Sequence, residues 1–475
     1  METIEITPKT YERDRLYEKY EGLIETDFNL NRTLVSYQAN KNEPFIGWFK
    51  FKEGFSQKLI RYFIDKYHPK PGHIFDPFAG IGTTLFAARE LGWDATGVEL
   101  LPVGIIAMEA RLAADQVTGD ELIEAIQEFK DRFDESRNPA FQIKHIPITK
   151  GAYSEETERA LCNYIDYCET IGEKFIKTLF KIAVFSILEE ISFTRKDGSY
   201  LKWDYRAGRR VGKRKFNKGR IYSFKEAIDN KLTRISRDMN SVDKSELPLY
   251  IKMTDFKDNI PAIIQGSSLM KLPEIDDKSF DFIMTSPPYC NRYDYTRTYA
   301  LELILLGYDN DDIKDLRQKM LTCTVENKEK IDMLRNLYIR LGKYSDFEEI
   351  IAVYNDNKAM QEVNSVLDEL NNRNILNNKL IPRMVKNYFL EMAFIIFEME
   401  RVLKHNGIVV MVNDNVRYGG EEIPVDLILS DSADSYGFTV RKIWTLPVGK
   451  GNSSQQMSDY GRTELRKCVY IWEKE

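Results

Sequence analysis

Between His73 and Glu99 the chain is constrained to one local architecture. His73-Ile74-Phe75 is a short apolar run suited to a buried strand. Asp76-Pro77-Phe78-Ala79-Gly80-Ile81-Gly82 follows as a turn, where two glycines permit positive φ and let a ligand approach without meeting a Cβ. Thr83-Thr84 open a helix whose Leu85, Phe86, Ala88 and Leu91 share a face, and Gly92 stands where a C′ residue would end it. Ala95–Val98 is a second strand, delivering Glu99 at its carboxyl end. Strand, glycine turn, helix and strand form a βαβ unit, and ligands of open α/β sheets bind at the carboxyl ends of the strands. A terminal acid there hydrogen-bonds ribose hydroxyls. The third glycine of a dinucleotide fingerprint is missing, which favours a nucleoside cofactor without a pyrophosphate.

The chain has 475 residues, enough for two or three domains. With 43% hydrophobic and 30% charged residues it reads as soluble and globular, not disordered. No apolar run approaches membrane-spanning length, and the acidic N-terminus is unlike a signal peptide, so the expectation is a cytoplasmic protein without a membrane partner. Five cysteines without a C-x-x-C pair and only four histidines argue against a metal site.

The net charge of −6 hides a local reversal. Residues 195–220 carry eleven Lys/Arg against two Asp, a net of +9, with Tyr200, Trp203, Tyr205 and Phe216 interleaved and four glycines suggesting a loop. Basic residues neutralise phosphates and aromatics stack on bases, so Arg195, Lys196, Lys202, Arg206, Arg209, Arg210, Lys213, Arg214 and Lys215 are candidate nucleic-acid contacts. Elsewhere the pattern predicts a charged N-terminal arm or helical extension over 1–40. It predicts a helix after Ser56, helical structure over 120–190, an edge strand after Gly437, and a closing strand over 467–472.

A second motif stands at another strand end. Phe280–Met284 delivers Thr285-Ser286-Pro287-Pro288-Tyr289. Two prolines fix φ and remove two N–H donors, leaving carbonyl acceptors beside a hydroxyl and a ring. That set suits a planar exocyclic amine, whose hydrogens are accepted by Ser286 Oγ and a carbonyl while Tyr289 stacks the heterocycle. Arg292 and Arg297 follow near the mouth of such a site and could hold a flipped base or its phosphates. Cys290 has no activating neighbour in sequence and reads as a small buried residue.

With both motifs in view, the chain resembles the S-adenosylmethionine-dependent amino-methyltransferases of DNA. Asp76–Thr84 is similar to their cofactor motif and Ser286-Pro287-Pro288-Tyr289 to their catalytic motif. The resemblance implies an α/β fold, a Rossmann-like class I methyltransferase sheet with helices on both faces, plus two mainly helical or loop insertions. It implies S-adenosylmethionine as cofactor, held by Asp76, Pro77, Phe78, Ala79, Gly80, Gly82, Thr83 and Thr84. Phe55 and Ser56 resemble the family's preceding cofactor element, and Glu99 its ribose acid. Ser267 and Ser268 stand where the family commonly has an acid holding the adenine amine. Ser in first place of the catalytic motif is typical of N4-cytosine enzymes, whereas Asp is typical of N6-adenine enzymes. The implied partners are double-stranded DNA and a cognate restriction endonuclease, with no metal. Alternatives are N6-adenine methylation, an RNA amine methyltransferase, and an inactive nucleic-acid-binding protein of the same fold. The expected divisions are an N-terminal extension (1–44), cofactor half (45–111), basic insertion with the target-recognition region (112–260), catalytic half (261–307), helical insertion (308–384) and C-terminal core (385–475).

Overall fold

The structure is a computed structural model, and it describes residues 11–68, 70–197, 200–209, 215–241, 259–447, 450–451 and 464–475. The strands in chain order are β1 (Ile24–Thr26), β2 (His73–Asp76), β3 (Asp94–Glu99), β4 (Thr194–Asp197), β5 (Tyr200–Trp203), β6 (Ala262–Gln265) and β7 (Phe280–Thr285). They continue with β8 (Leu403–Asp414), β9 (Val416–Tyr418), β10 (Glu421–Ile423), β11 (Phe438–Thr445), β12 (Lys450–Gly451), β13 (Glu464–Leu465) and β14 (Lys467–Lys474). Eight of them form one mixed sheet in the order β1-β11-β14-β8-β7-β2-β3-β6. The block β8-β7-β2-β3-β6 is parallel throughout. Its inner strands are covered on both faces: Ile74, Phe75, Val98, Phe282, Ile283, Val409 and Val410 are all buried. β14 runs antiparallel to both of its neighbours, β8 and β11.

The helices of the first half are α1 (Tyr11–Tyr20), α2 (Gln57–Tyr67), α3 (Thr83–Arg89), α4 (Pro102–Ala113), α5 (Gly119–Arg132), α6 (Glu155–Thr170), α7 (Lys174–Ile191) and α8 (Phe224–Ser241). Ser56 caps α2 by accepting the Leu59 amide at 3.2 Å, and Leu59, Ile60, Phe63 and Ile64 form its buried face. α2 and α3 cover one face of the sheet together with Trp93. The other face packs on the long helix Ile381–Val402, which also collects the helices within 331–372 into the same core. A further core joins α4–α8 to the aromatic run Trp48, Phe49 and Phe51. The helices within 112–241 thus add a separate apolar core, while those within 331–372 share the core of the sheet.

Three expectations change. The N-terminal segment is more than an arm: α1 leads to β1, which pairs outside β11 and takes its place as the sheet edge. Three residues, Ile-Glu-Thr, are too few to show a period. The basic island is not a loop in its first part, because β4 and β5 pair as an antiparallel ribbon with Thr194, Lys196, Leu201 and Trp203 facing inward. Helical structure over 120–190 is interrupted between α5 and α6. Residues 451–457, Gly-Asn-Ser-Ser-Gln-Gln-Met, read in sequence as a polar loop, and 452–457 lie outside the described residues.

α4 abuts the glycine turn: a Cβ on Gly104 would lie 2.4 Å from the Gly80 carbonyl oxygen and 2.9 Å from Glu99 Cγ. Gly104→Ala should therefore lower stability by about 1–3 kcal/mol in urea unfolding. Gly172→Ala, with open space around it, should leave the midpoint nearly unchanged.

Candidate active site

β2 and β7 are parallel neighbours, so their carboxyl ends emerge side by side. One carboxylate joins them. Asp76 Oδ1 accepts the Thr285 hydroxyl at 2.7 Å and the Phe78 amide at 3.0 Å, and Oδ2 accepts the Thr84 hydroxyl at 2.7 Å. Thr84 lies in the first turn of α3, and Thr285 directly precedes Ser286. Burial pushes the Asp76 carboxyl up to about 6, opposed by those three hydrogen bonds. Gly80 and Gly82 both have positive φ, 58° and 79°, and a Cβ on Gly80 would meet the Phe51 ring at 2.9 Å. Glu99 fastens the turn from the other side: Oε2 accepts the Gly80 amide and Oε1 the Leu101 amide, each at 2.6 Å. Burial pushes its carboxyl up to about 7.

These groups line one cleft. Its wall includes Phe55, Asp76, Phe78, Ala79, Gly80, Thr83 and Glu99, then Ser267 and Ser268, and on the catalytic side Ser286 and Pro288. The glycine turn thus shares one cavity with Ser286 and Pro288. Other expected residues stand just behind it. Thr84 is bonded to Asp76, and Gly82 is the N-cap of α3. The Pro77 carbonyl accepts the Ser268 hydroxyl. Ser56 is buried, its hydroxyl donating to the Leu34 carbonyl at 2.6 Å. Pro287 is buried. Tyr289 is half-buried, and its Oη accepts the Ser286 hydroxyl at 3.1 Å. Lys467 Nζ lies 5.7 Å from the Tyr289 ring centroid and 3.3 Å from Asp414 at the end of β8. Cys290 is buried, and burial pushes its thiol up, away from a reactive thiolate.

Sequence reasoning did not assign several wall residues. Glu53, Ile81, Leu100 and Leu101 are neighbours of the motifs in the chain. Met320 and Leu321 come from the second insertion, and no local signal marks them. They are held by a buried knot: the Thr322 amide and hydroxyl donate to Glu391 at 2.7 and 2.6 Å, and Lys330 pairs with Glu391 at 2.8 Å.

The basic candidates divide. Arg195 and Lys215 are exposed. The Arg209 guanidinium lies 4.2 Å from the Trp203 ring centroid and donates to the Pro147 carbonyl at 2.8 Å. Lys202 pairs with Asp197 at 3.2 Å, and Arg206 grips both oxygens of Asp204 at 2.7 and 2.9 Å. Arg297 pairs with Asp294 and Glu326, and Arg292, at φ 65°, donates to Asn377 at 2.9 Å. Lys196 points inward, contrary to its reading as a phosphate contact. Its ammonium pairs with Glu302 at 2.5 Å and sits 4.1 Å from the Tyr299 ring centroid, with both charged side chains buried. Arg210, Lys213 and Arg214 lie outside the described residues. Among the described residues no cluster of three metal-ligating side chains occurs, and no helix is long and apolar enough to cross a membrane.

Asp76 and Glu99 are carboxyls raised above their ordinary values, so the folded protein holds protons that the unfolded chain has released. For Glu99, stability from this source is full below about pH 4.5 and is lost as pH rises toward about 7. Glu99→Gln removes that term. The stability of the wild type relative to this variant should fall across that window, by at most about 1.4 kcal/mol per pH unit, in urea unfolding at several pH values. A pH-independent difference would contradict the assignment.

Comparison with known proteins gives the same picture. The DNA methylase family model, of the N6/N4 class, matches residues 3–103. The chain is 45% identical over 94% of its length to the type II methyltransferase M.AvaI of Nostoc sp. (strain PCC 7120), covering 90% of that protein. It is 41% identical over 98% of its length to the type II methyltransferase M.BsoBI of Geobacillus stearothermophilus, covering 92%. The type II methyltransferase M.MvaI of Kocuria varians matches more distantly, at 23% identity over 80% of this chain and 78% of its own. No solved structure matches. With its two motifs in one cleft and its full-length relatives, the chain belongs to the type II DNA methyltransferases, the N6/N4 amino-methyltransferases of restriction–modification systems.

Proposed function

We propose that this enzyme transfers a methyl group from S-adenosylmethionine to the exocyclic N4 amine of cytosine in double-stranded DNA. The observation that carries the reading is the single cleft lined by both the Gly80 turn and the Ser286–Pro288 corner. The cleft suits the cofactor chemically. Phe51, Phe78, Ile81, Leu100 and Leu101 supply apolar wall for a nucleoside, and Glu53, Asp76 and Glu99 supply carboxyl oxygens as hydrogen-bond acceptors. The Glu99 carboxyl accepts the Gly80 and Leu101 amides, with the Leu100 amide also contributing, which still leaves an acceptor position for a ribose hydroxyl. When bound, S-adenosylmethionine supplies an electrophilic methyl group.

The chain's own residues then act on the acceptor. A cytosine amine lies inside the duplex, so the base must be turned out to reach Ser286. Ser286 directs its hydroxyl hydrogen to Tyr289, which leaves its oxygen lone pairs to accept a hydrogen of the amine. The proline pair withholds competing N–H donors from the same corner. Pulling on those hydrogens helps the delocalised nitrogen become a nucleophile. Ser in first place of this motif supports N4 of cytosine over N6 of adenine. Burial of the Cys290 thiol favours direct transfer without a covalent enzyme–base intermediate. The proposed DNA face is formed by Arg195 and Lys202 of the β4–β5 ribbon, with Arg209 and Lys215 beyond it in the chain. Arg206, Arg292 and Arg297 are proposed as further contacts, and Arg210, Lys213 and Arg214 stay candidates by sequence alone. Lys196 serves instead as its anchor. A cognate endonuclease, acting on the same sites in the cytoplasm, belongs to this reading.

Incubation with unmethylated DNA and S-adenosylmethionine, followed by nucleoside mass spectrometry, should yield N4-methylcytosine. N6-methyladenine would overturn the base assignment. Ser286→Ala should lower kcat by on the order of 10²-fold while DNA affinity stays nearly unchanged. Arg195→Glu with Lys215→Glu should weaken DNA binding and reduce its salt slope by about 2, leaving the single-site chemistry intact.

A further inference from the structure

Three carboxylates line the cofactor cleft, and two of them serve the chain itself. Asp76 holds Phe78, Thr84 and Thr285, and Glu99 holds the amides of Gly80 and Leu101. Glu53 differs. Its Oε1 accepts the Tyr293 hydroxyl and its Oε2 the Tyr299 hydroxyl. Among the described residues no lysine or arginine forms an ion pair with it. Its neighbour Lys52 donates to the Lys196 carbonyl and acts on Glu53 only through space. Two neutral donors fix the position of the carboxylate, leave a lone pair on each oxygen, and provide no countercharge.

The surroundings of Glu53 point to what completes it. It belongs to the segment from Phe51 to Phe55, whose Phe51 ring presses on the glycine turn and stacks on Tyr299 at 5.4 Å between centroids. Tyr293 and Tyr299 stand in the segment that follows Ser286–Tyr289. The segment that carries Glu53 therefore bridges the glycine turn, through Phe51, and residues 293–299, through Glu53, at the wall of one cleft. Burial, with Glu53 adding to it, pushes both tyrosine hydroxyls up, so they stay protonated donors.

We propose that Glu53 receives the α-ammonium of the cofactor's amino-acid moiety. The inference rests on the cofactor reading given above. An ammonium offers three donors and no acceptor, and it needs a charged acceptor where water is partly excluded. Glu53 is the cleft carboxylate whose partners are side-chain hydroxyls alone. Through Tyr293 and Tyr299, the bound amino-acid moiety is fastened to the segment that presents the acceptor base, which makes Glu53 a positioning group for both halves of the reaction.

The test compares two probes by titration calorimetry: S-adenosylhomocysteine, which carries the ammonium, and methylthioadenosine, which lacks the whole amino-acid moiety. Glu53→Gln should weaken S-adenosylhomocysteine by about 10- to 100-fold and leave methylthioadenosine unchanged. Equal weakening of both probes, or no effect on S-adenosylhomocysteine, would overturn the proposal. If Glu53→Gln does not fold, as read by thermal melting, Glu53→Asp carries the same contrast: selective weakening of S-adenosylhomocysteine supports it and an equal effect on both probes overturns it. Failure of the wild type to bind either probe would instead overturn the cofactor reading beneath it.

Discussion

A single buried carboxylate, Asp76, holds the two halves of this enzyme in register. It accepts hydroxyls from Thr84 at the start of α3 and Thr285 at the end of β7, while its own backbone ends β2. Strand pairing alone sets β2 beside β7, but the direction of the chain after each strand is a turn problem. The three hydrogen bonds settle it, because a buried carboxylate left without partners loses far more than the bonds themselves contribute. Glu99 repeats the device one strand over, tying the Gly80 amide to the end of β3. The glycine turn is therefore anchored at both sides by acids that burial has raised, and the cleft opens between them.

The insertions contribute to the site through buried ion pairs. Lys196 and Glu302 meet at 2.5 Å, which locks the β4–β5 ribbon onto the helix Ala300–Leu305, a few residues beyond the Ser286–Tyr289 motif. Lys330, Glu391 and Thr322 form a second knot that holds Met320 and Leu321 in the cleft wall. Such pairs are costly to break, about 3–5 kcal/mol when one partner is removed, because the other charge is left buried. Their placement explains how long excursions of chain can bring exact wall and surface residues to a sheet-based site without loosening it.

Much of this was legible in the sequence. The β2–turn–α3–β3 unit carries its own signals in apolar runs, glycines and a terminal acid, and each element formed where those signals lie. Ser286 and Pro288 were readable because a strand end and a proline pair are local features. The inward turn of Lys196 was not, since a lysine inside a basic run gives no sign of its face. The available clue was distant: Glu302 is a lone acid in the apolar helix Ala-Leu-Glu-Leu-Ile-Leu, and a buried acid needs a cation. β1 was invisible at three residues, and Met320 and Leu321 reach the cleft by tertiary path alone.

The central claim is that one cleft holds the methyl donor against the acceptor corner. A crystal structure of the protein with S-adenosylhomocysteine and duplex DNA tests it most directly. The account predicts the cofactor sulfur between the Gly80 turn and Ser286, the ribose on Glu99, and a base turned out toward Ser286–Tyr289. Cofactor density in the neighbouring cavity beside Trp48, Glu189 and Lys231, away from Ser286, would contradict it.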